Sequence, residues 1–232
     1  MPLSKHPGLA EEITLRDKAR LAPVIAVDGP AASGKGTIAR ALAKHFNLPH
    51  MDTGLLYRAV ALNLWRWGGD PGNEFEALRA CDDLGFVPDD PELRSEPVSK
   101  IASMISAYPA VRTALLERQQ DFARQDGGAV LDGRDIGTVI APGADVKLFI
   151  TATAQVRAGR RLKELEKCGM AAHFEEVLAD IRARDERDSG REVAPLKPAA
   201  DAVLLDTSDL APEQAIAEAV RLADERLARA DR

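Results

Sequence analysis

The sequence has little cysteine, no long apolar run and no excess of positive charge. Its two cysteines, Cys81 and Cys168, lie far apart and outside any C-x-x-C or H-E-x-x-H pattern, so we expect free thiols rather than a disulfide scaffold or a zinc site. No stretch approaches the roughly 18 consecutive apolar residues typical of a transmembrane helix. With 37 acidic residues against 31 basic ones and a net charge of −6, the chain is not a generally basic nucleic-acid coat protein. We therefore expect a cytoplasmic protein with neither a membrane nor a nucleic-acid partner.

The chain has the size and composition of a globular protein. At roughly 150 residues per domain, the 232 residues correspond to one compact domain or to one domain with a sizeable insert. Apolar residues make up 45% of the sequence and charged residues 29%, a balance that argues against disorder. Residues 1–23 contain Glu11, Glu12 and Asp17 and no apolar run of secretory length, so we expect an N-terminal extension that is neither a signal nor a transit peptide. The folded domain is expected over 24–232.

Apolar runs alternate with amphipathic stretches along the rest of the chain. The runs end in polar or turn residues and are expected to be strands at 24–27, 129–131, 146–150 and 202–205. The stretches read as helical are 35–46, 54–66, 99–106, 109–124, 153–167, 173–188 and 212–230. The runs lack strict alternation and are separated by helices, which indicates a parallel sheet covered on both faces. We therefore predict a three-layer α/β fold.

The strongest local signal is a glycine-rich turn between the first predicted strand and the first predicted helix. It matches G-x-x-x-x-G-K and consists of Gly29, Pro30, Ala31, Ala32, Ser33, Gly34, Lys35, Gly36 and Thr37. Glycines let successive backbone N–H groups converge on a phosphate, the following helix directs its positive end there, and Lys35 reaches the outer phosphates. The hydroxyl stands one position later than in the commonest form, at Thr37, and this G-K-G-T arrangement resembles nucleoside monophosphate kinases. Thr37 is therefore expected to meet magnesium less directly.

Two further motifs predict a second phosphate site. Asp52-Thr53-Gly54 precedes a helix with Tyr57 and Arg58, and a hydroxyl and a guanidinium beside a helix start suit a phosphate monoester. A helix cap with a solvated arginine is the alternative. Asp132-Gly133-Arg134-Asp135 follows a predicted strand, at the carboxyl edge where such sheets bind ligands. Asp132 suits the water shell of magnesium and Arg134 suits a phosphate, while an Arg–Asp surface pair at a turn is the simpler alternative.

The region 157–191 is rich in arginine. Arg184, Asp188 and Arg191 share one helical face, and the preceding helical segment carries Arg157, Arg160 and Arg161. Acidic residues offset these arginines almost one for one, so a solvated, salt-bridged helical hairpin stays open as an interpretation. The functional interpretation is a lid whose arginines stabilise charge on a transferred phosphoryl group and whose closure excludes water.

Five segments, in this order, resemble the bacterial-type cytidylate kinases, a family of nucleoside monophosphate kinases. They are 25–37 (IAVDGPAASGKGT), 51–62 (MDTGLLYRAVAL), 108–122 (YPAVRTALLERQQDF), 130–150 (VLDGRDIGTVIAPGADVKLFI) and 182–207 (RARDERDSGREVAPLKPAADAVLLDT). The resemblance spans about 24–222, and D-T-G-x-x-Y-R together with D-G-R-D-I-G-T makes it far more specific than the phosphate loop. It implies a P-loop NTPase fold with a small monophosphate-binding insert at about 67–107 and a short lid at about 157–191. It also implies ATP-dependent phosphorylation of CMP and dCMP with Mg²⁺, and we expect a monomer.

The resemblance assigns roles to the candidate residues at matching positions. It implies that residues 29–37 hold ATP with Lys35 bridging the phosphates, and that Thr53, Arg58 and Arg134 bind the CMP phosphate. It implies that Ser103, Arg112 and Asp135 read cytosine, that Tyr57, Arg184, Asp188 and Arg191 surround the ribose and phosphates, and that Arg160 is a lid arginine. The catalytic set is then Lys35, Arg134, Arg160, Arg184 and Arg191. Magnesium is expected to have no direct protein ligand and to meet Thr37 and Asp132 through water.

The sequence departs from the family in two places, the extension over 1–23 and one internal segment, and two other functions stay open. Residues 67–93 are rich in Gly, Pro and Asp, and Leu93-Arg94-Ser95 follows almost directly on Phe86-Val87, so we expect a trimmed insert in place of the family's hairpin. The other functions are a kinase for UMP or AMP, and a nucleotide sensor without an acceptor site. Asp135 favours an amine-bearing pyrimidine, the zinc-type cysteines of an adenylate-kinase lid are absent, and a sensor has no need of the acceptor residues.

Overall fold

A parallel sheet forms the centre of the molecule. The computed structural model describes residues 22–82, 84, 90–167 and 169–230. The strands are β1 (Val24–Asp28), β2 (His50–Asp52), β3 (Ala129–Gly133), β4 (Val146–Thr151) and β5 (Val203–Asp206). Their order across the sheet is β2-β3-β1-β4-β5, and each neighbouring pair is parallel. The predicted parallel sheet is confirmed, and β2 is a strand that the sequence pattern did not predict.

Helices and two short turns connect the strands. The helices are α1 (Lys35–Phe46), α2 (Thr53–Trp67), α3 (Glu74–Arg79), α4 (Glu96–Ile105), α5 (Pro109–Arg124), α6 (Ala154–Lys167), α7 (Phe174–Ser189) and α8 (Pro212–Ala230). A 3₁₀ turn covers Pro91–Arg94 and a π turn covers Ile136–Ile140. The predicted bounds of α1 and α5 are confirmed, and those of α2, α6, α7 and α8 differ by one residue at most. Helix α4 begins earlier than expected, and α3 and both turns were not predicted.

The two faces of the sheet are both packed against helices. On one face the fully buried Ile25 and Val27 of β1 pack with Leu42 of α1 and with small residues of α8. On the other face Ala26 packs with Ile136 of the π turn and with the apolar side of α5. A strand buried on both sides needs no polar alternation, which is why its sequence is continuously apolar. The predicted three-layer α/β architecture is confirmed.

A second core lies beside the sheet and joins α2, α4 and α5. Leu64, Ile105 and Leu115 are fully buried in it. Helix α2 begins directly at the end of β2, where the Asp52 carboxylate accepts a hydrogen bond from the Gly54 N–H at 3.0 Å. It ends at Gly68, which takes the left-handed conformation (φ 77°) that favours glycine. This packing fixes the wall on which the predicted acceptor residues lie.

Part of the sequence-based prediction falls outside the described residues. The N-terminal extension over 1–21, residues 83 and 85–89 of the insert, and Cys168 belong to that part. Within 67–93, the described residues form α3 and most of the 3₁₀ turn rather than a strand, and the trimmed insert stays a prediction. Cys81 is a half-buried free thiol. Across the described ranges, no helix combines the length and apolar character needed to cross a membrane.

Candidate active site

A cleft of about 570 Å³ opens at the carboxyl ends of β1, β2 and β3. Its walls come from the turn before α1, from α2, α4 and α5, and from α6 and α7. Parallel strands end on the same edge, so loops that are distant in sequence meet there. The structure places nearly all of the predicted site residues on these walls; Gly29, Pro30, Ser33 and Arg160 are the predicted residues that do not line the cleft.

The glycine-rich turn is shaped by its own backbone. At Gly29 a Cβ atom would lie 2.1 Å from the Ile150 carbonyl oxygen, so a larger residue would displace β4. Gly34 has a left-handed φ of 91° and precedes α1, whose first turn has no acidic residue and no side-chain cap. The first N–H groups of α1 therefore have no side-chain acceptor. An anion placed in the turn would accept from them and interact favourably with the helix dipole.

Two cations in the cleft, those of Lys35 and Arg184, are held at an electrostatic cost. Within the described residues, neither the Lys35 ammonium nor the Arg184 guanidinium has a hydrogen bond or an ion pair, and Arg184 Nε is buried without a partner. Burial lowers the pKa of Lys35 to about 8, with the Arg134 cation as the next cause. The same two causes lower the pKa of Arg184. Because the charged forms of both groups are destabilised, the cleft is built to receive an anion.

The wall opposite the glycine-rich turn holds a second set of donors. Thr53 opens α2 and donates from Oγ1 to the Asp132 carbonyl oxygen at 2.9 Å. Arg58 lies just over one turn further along α2 and donates to the Leu93 carbonyl oxygen at 2.8 Å and to Ser99 Oγ at 2.6 Å. These bonds hold the guanidinium between α2 and α4. The helix start and this fixed cation suit a second phosphate group.

A buried ion pair closes the far end of the cleft. Arg112 of α5 donates from Nη2 to Asp135 Oδ2 and from Nη1 to the Ser106 carbonyl oxygen at 3.2 Å. Its guanidinium carbon lies 5.7 Å from the ring centre of Tyr57. Asp135 is 5% exposed, and its Oδ1 has no hydrogen-bond donor among the described residues. The pocket therefore offers an acceptor and donors side by side to a small polar ring.

Helix α7 forms the cover of the cleft. Asp188, which is 2% exposed, accepts from Arg134 Nε at 2.9 Å and from Arg191 Nη2. Burial alone would raise the pKa of Asp188, but Arg134 and Arg191 hold it below its usual range. Arg191 also donates to Ser106 Oγ at 2.9 Å, so it bridges α7 and the wall formed by α4 and α5. These contacts link α7 to Arg134 and to the wall formed by α4 and α5.

A sequence model of the family described as cytidylate kinase matches residues 25–225. The chain belongs to the cytidylate kinase family. Among curated relatives, cytidylate kinase of Granulibacter bethesdensis is 54% identical over 202 residues, covering 86% of this chain and 95% of the relative. Cytidylate kinase of Xanthobacter autotrophicus is also 54% identical, covering 88% and 99%. That of Caulobacter sp. is 50% identical, covering 90% and 97%. The predicted family membership is confirmed.

A solved structure shows a related fold. The crystal structure of an uncharacterised protein from Eubacterium ventriosum superposes with a TM-score of 0.52 at 14% identity, covering 88% of this chain and 99% of that chain. At this identity the likeness concerns the fold alone. The parallel sheet, the glycine-rich turn and membership of the cytidylate kinase family agree with the P-loop type of α/β architecture predicted from the sequence.

The contacts of Arg160, which the sequence predicts to be a lid arginine, are with the phosphate loop and with Thr207. Arg160 does not line the cleft; it donates to the Ser33 carbonyl oxygen at 3.2 Å and to Thr207 Oγ1 at 3.0 Å. Arg157 binds the Asp185 carboxylate and donates to the Ala31 carbonyl oxygen at 3.3 Å. Both arginines therefore anchor the start of α6 to the backbone of the phosphate loop. The catalytic role of Arg160 stays a prediction.

Sequence reasoning missed residues of the cytidylate kinase cleft that only helical spacing could have indicated. Arg187 lies one turn after Arg184 on α7 and donates to Ser103 Oγ at 3.2 Å. Ser99 lies one turn before Ser103 on α4 and accepts from Arg58. Neither residue is part of a sequence motif, and their proximity depends on how α4, α2 and α7 pack.

Proposed function

We propose that this protein transfers the γ-phosphoryl group of ATP to the phosphate of CMP or dCMP. An oxygen of the monophosphate attacks the γ-phosphorus, the bond from that phosphorus to the β–γ bridging oxygen breaks, and ADP and CDP or dCDP are released. The observation that carries the proposal is a pair of cations, Lys35 and Arg184, that have no hydrogen bond or ion pair with any described residue. They lie in a cleft that has a phosphate loop on one side and the buried Asp135–Arg112 pair on the other. Membership of the cytidylate kinase family supports CMP and ATP as substrates.

The donor side would bind the ATP phosphates. The open N–H groups at the start of α1 would donate hydrogen bonds to the β-phosphate oxygens, and Lys35 would bridge to the γ-phosphate. Magnesium, when bound, neutralises part of the phosphate charge. Its water shell would be held by the Thr37 hydroxyl and the Asp132 carboxylate, and Asp132 is itself fixed by a 2.7 Å hydrogen bond with His50 Nε2. The described residues contain no cluster of three or more His, Cys, Asp or Glu side chains that would bind a metal by themselves.

We expect ATP capture by the free enzyme to depend on the protonation of Lys35. Because the pKa of Lys35 is lowered to about 8, the ammonium is present below that pH and is lost above it, while ATP remains fully ionised. The kcat/KM for ATP should therefore fall as the pH rises through about 8. A pH profile of kcat/KM for ATP, recorded at CMP concentrations below its KM so that most of the enzyme carries no CMP, measures this. A profile that stays flat into the alkaline range would contradict the assignment.

The acceptor side would bind CMP through its phosphate and through its base. Thr53, Arg58 and Arg134 would hold its phosphate at the start of α2. Asp135 Oδ1 would accept from the cytosine amine, while Arg112 and Ser103 would donate to the ring acceptors. A uracil would place a carbonyl oxygen against the Asp135 carboxylate. Buried polar groups left without partners make such a mismatch costly.

The cover formed by α7 would complete the site. Arg184 would pair with the transferred phosphoryl group. Tyr57, Asp188 and Arg191 would surround the ribose. Asp188 and Arg191 already join α7 to the acceptor wall through their contacts with Arg134 and Ser106. Water would be excluded from the phosphates when this cover is in place. We further propose a monomeric cytoplasmic enzyme with no membrane partner and, in line with its net charge of −6, no nucleic-acid partner.

A substrate panel tests the function directly. ADP release coupled to an indicator reaction should be fastest with CMP, close behind with dCMP, and much slower with UMP and AMP. If UMP or AMP were turned over faster than CMP, that nucleotide would be the acceptor in place of CMP. ATP binding without turnover of any monophosphate would indicate a nucleotide sensor instead.

A matched pair of variants tests base recognition. Asp135→Ala should raise KM for CMP by about tenfold to a hundredfold, because the loss of one buried hydrogen-bond partner costs about 1–3 kcal/mol. Asp135→Asn keeps the size of the side chain but offers an amide NH2 donor, so it should lose CMP activity and gain relative activity towards UMP. The readout is the ratio of kcat/KM for CMP and UMP. Equal losses for both substrates in both variants would assign Asp135 to structure or phosphate binding.

A further inference from the structure

Asp28 is a buried carboxylate that the proposed chemistry does not use. It is the last residue of β1, directly before Gly29, and it is 4% exposed. Its Oδ1 accepts from the Ile136 N–H at 2.8 Å, and its Oδ2 accepts from the Gly137 N–H at 2.8 Å. Each carboxylate oxygen thus accepts one hydrogen bond, and the two donors are successive backbone N–H groups of the π turn.

The π turn begins immediately after Arg134 and Asp135. Its closing bonds run from the Ile140 N–H to the Asp135 carbonyl oxygen at 3.2 Å and from the Ala141 N–H to the Ile136 carbonyl oxygen at 2.7 Å. The N–H groups of its first residues point out of the turn and need an outside acceptor. Such turns are rare and frequently occur at functional sites.

The contact between Asp28 and the turn is tight. At Gly137 a Cβ atom would lie 3.4 Å from Asp28 Oδ2 and 3.2 Å from the Lys147 side chain. Ile136 is fully buried beside Ala26. Burial raises the pKa of Asp28 to about 6, so a charged group is kept in the core and depends on these two donors. Charge-assisted bonds to backbone N–H groups are strong and directional enough to fix the start of the turn.

The residues before the turn face different walls of the cleft. Arg134 reaches α7 through Asp188, and Asp135 reaches α5 through Arg112. A small rotation of the backbone at residues 136 and 137 would therefore move both side chains relative to their partners. A misplacement of this kind in a binding site is costly even when the protein stays folded.

We propose that Asp28 is a positioning residue for the acceptor site, which holds the start of the π turn and so sets Arg134 and Asp135 for the phosphate and base of the monophosphate. This inference rests on the proposed roles of those two residues. By this proposal a residue of β1, the strand that leads into the proposed ATP-binding loop, helps to select the monophosphate that accepts the phosphoryl group. Asp28 touches neither substrate.

The test is Asp28→Asn, which keeps the size of the side chain but turns an amide NH2 group towards one of the two N–H groups. We expect KM and the equilibrium Kd for CMP to rise about tenfold, in line with one lost buried hydrogen bond. The preference for CMP over UMP should fall by a similar factor, while KM for ATP changes less than about twofold. A rise in KM for ATP as large as that for CMP would overturn the proposal, because Asp28 would then shape the donor loop.

The matched control lies at the other end of the same strand. Asp145 Oδ2 accepts from the Val24 N–H at 2.8 Å, far from the cleft. Asp145→Ala removes this carboxylate–backbone bond and should lower thermal stability without changing KM for CMP or base preference. Should it alter base preference as Asp28→Asn does, the effect would reflect loss of β1 stability, and the positioning role would be wrong.

A second variant keeps Asp28 and moves the turn. Gly137→Ala should push the turn a few tenths of an ångström from the carboxylate and raise KM for CMP by a smaller factor, again sparing ATP. This variant decides the matter if Asp28→Asn does not fold. If Asp135→Ala reduces base preference while Asp28→Asn and Gly137→Ala do not, the positioning role fails and the proposed function stands. If Asp135→Ala itself leaves base preference intact, the proposed reading of cytosine fails.

Discussion

Replacing Lys35 by methionine should lower kcat by about 10³-fold or more, as expected when a preorganised charge on the transferred group is removed. Lys35 has no counter-ion among the described residues, and burial lowers its pKa to about 8. The buried charge therefore lowers the stability of the folded protein, and binding of ATP would offset this loss. Methionine has a similar length and no charge, so thermal stability without nucleotide should be unchanged or higher.

The matched control for this variant is Lys44→Met in the last turn of the same helix, where the side chain is exposed. It should retain the activity and stability of the parent. Steady-state kinetics with saturating ATP and CMP, together with thermal unfolding, give the comparison. Undiminished turnover of the Lys35 variant would remove the assignment of the glycine-rich turn to ATP.

Replacing Arg184 by methionine should lower kcat by about 10²-fold to 10³-fold, the range seen when one preorganised donor to a transition state is lost. Its Nε is buried without a partner, and burial and the Arg134 cation lower its pKa. The guanidinium is destabilised until an anion enters the cleft. The same change should therefore raise the unfolding temperature of the substrate-free protein or leave it unchanged.

Arg182→Met is the control, because Arg182 lies on α7 with an exposed side chain. It should leave both kcat and the unfolding temperature close to those of the parent. KM for ATP should change little in the Arg184 variant, because the arginine is placed on the cover rather than in the phosphate loop. A marked fall in stability of the Arg184 variant would identify a structural role and contradict the proposal.

Long, periodic elements were predictable from local pattern. The strand at 24–28 is continuously apolar because both of its faces are buried, and the helix over 35–46 has its apolar side on Ile38 and Leu42, which pack against the sheet. The turn between them carries a motif whose chemistry depends on glycine positions and one lysine. Such signals are local, so they survive without knowledge of the rest of the fold.

Short elements were not predictable, because their partners lie far away in sequence. Strand β2 has three residues and exists through pairing with β3, as His50 pairs with Val130. The π turn depends on Asp28, which precedes its first residue by 108 positions. No pattern within a window of a few residues contains such a partner.

The sequence by itself determined the chemistry of the site: a phosphate loop, a hydroxyl and arginines for a second phosphate, and an Asp–Arg motif at the end of a strand. The tertiary structure alone decided which of the arginines are free to bind a ligand. Arg160 donates to the phosphate-loop backbone at the Ser33 carbonyl oxygen, whereas Arg184 has no hydrogen bond or ion pair among the described residues and its Nε is buried. Whether a cation is paired depends on the packing of distant helices, and that packing is not encoded in the spacing of one motif.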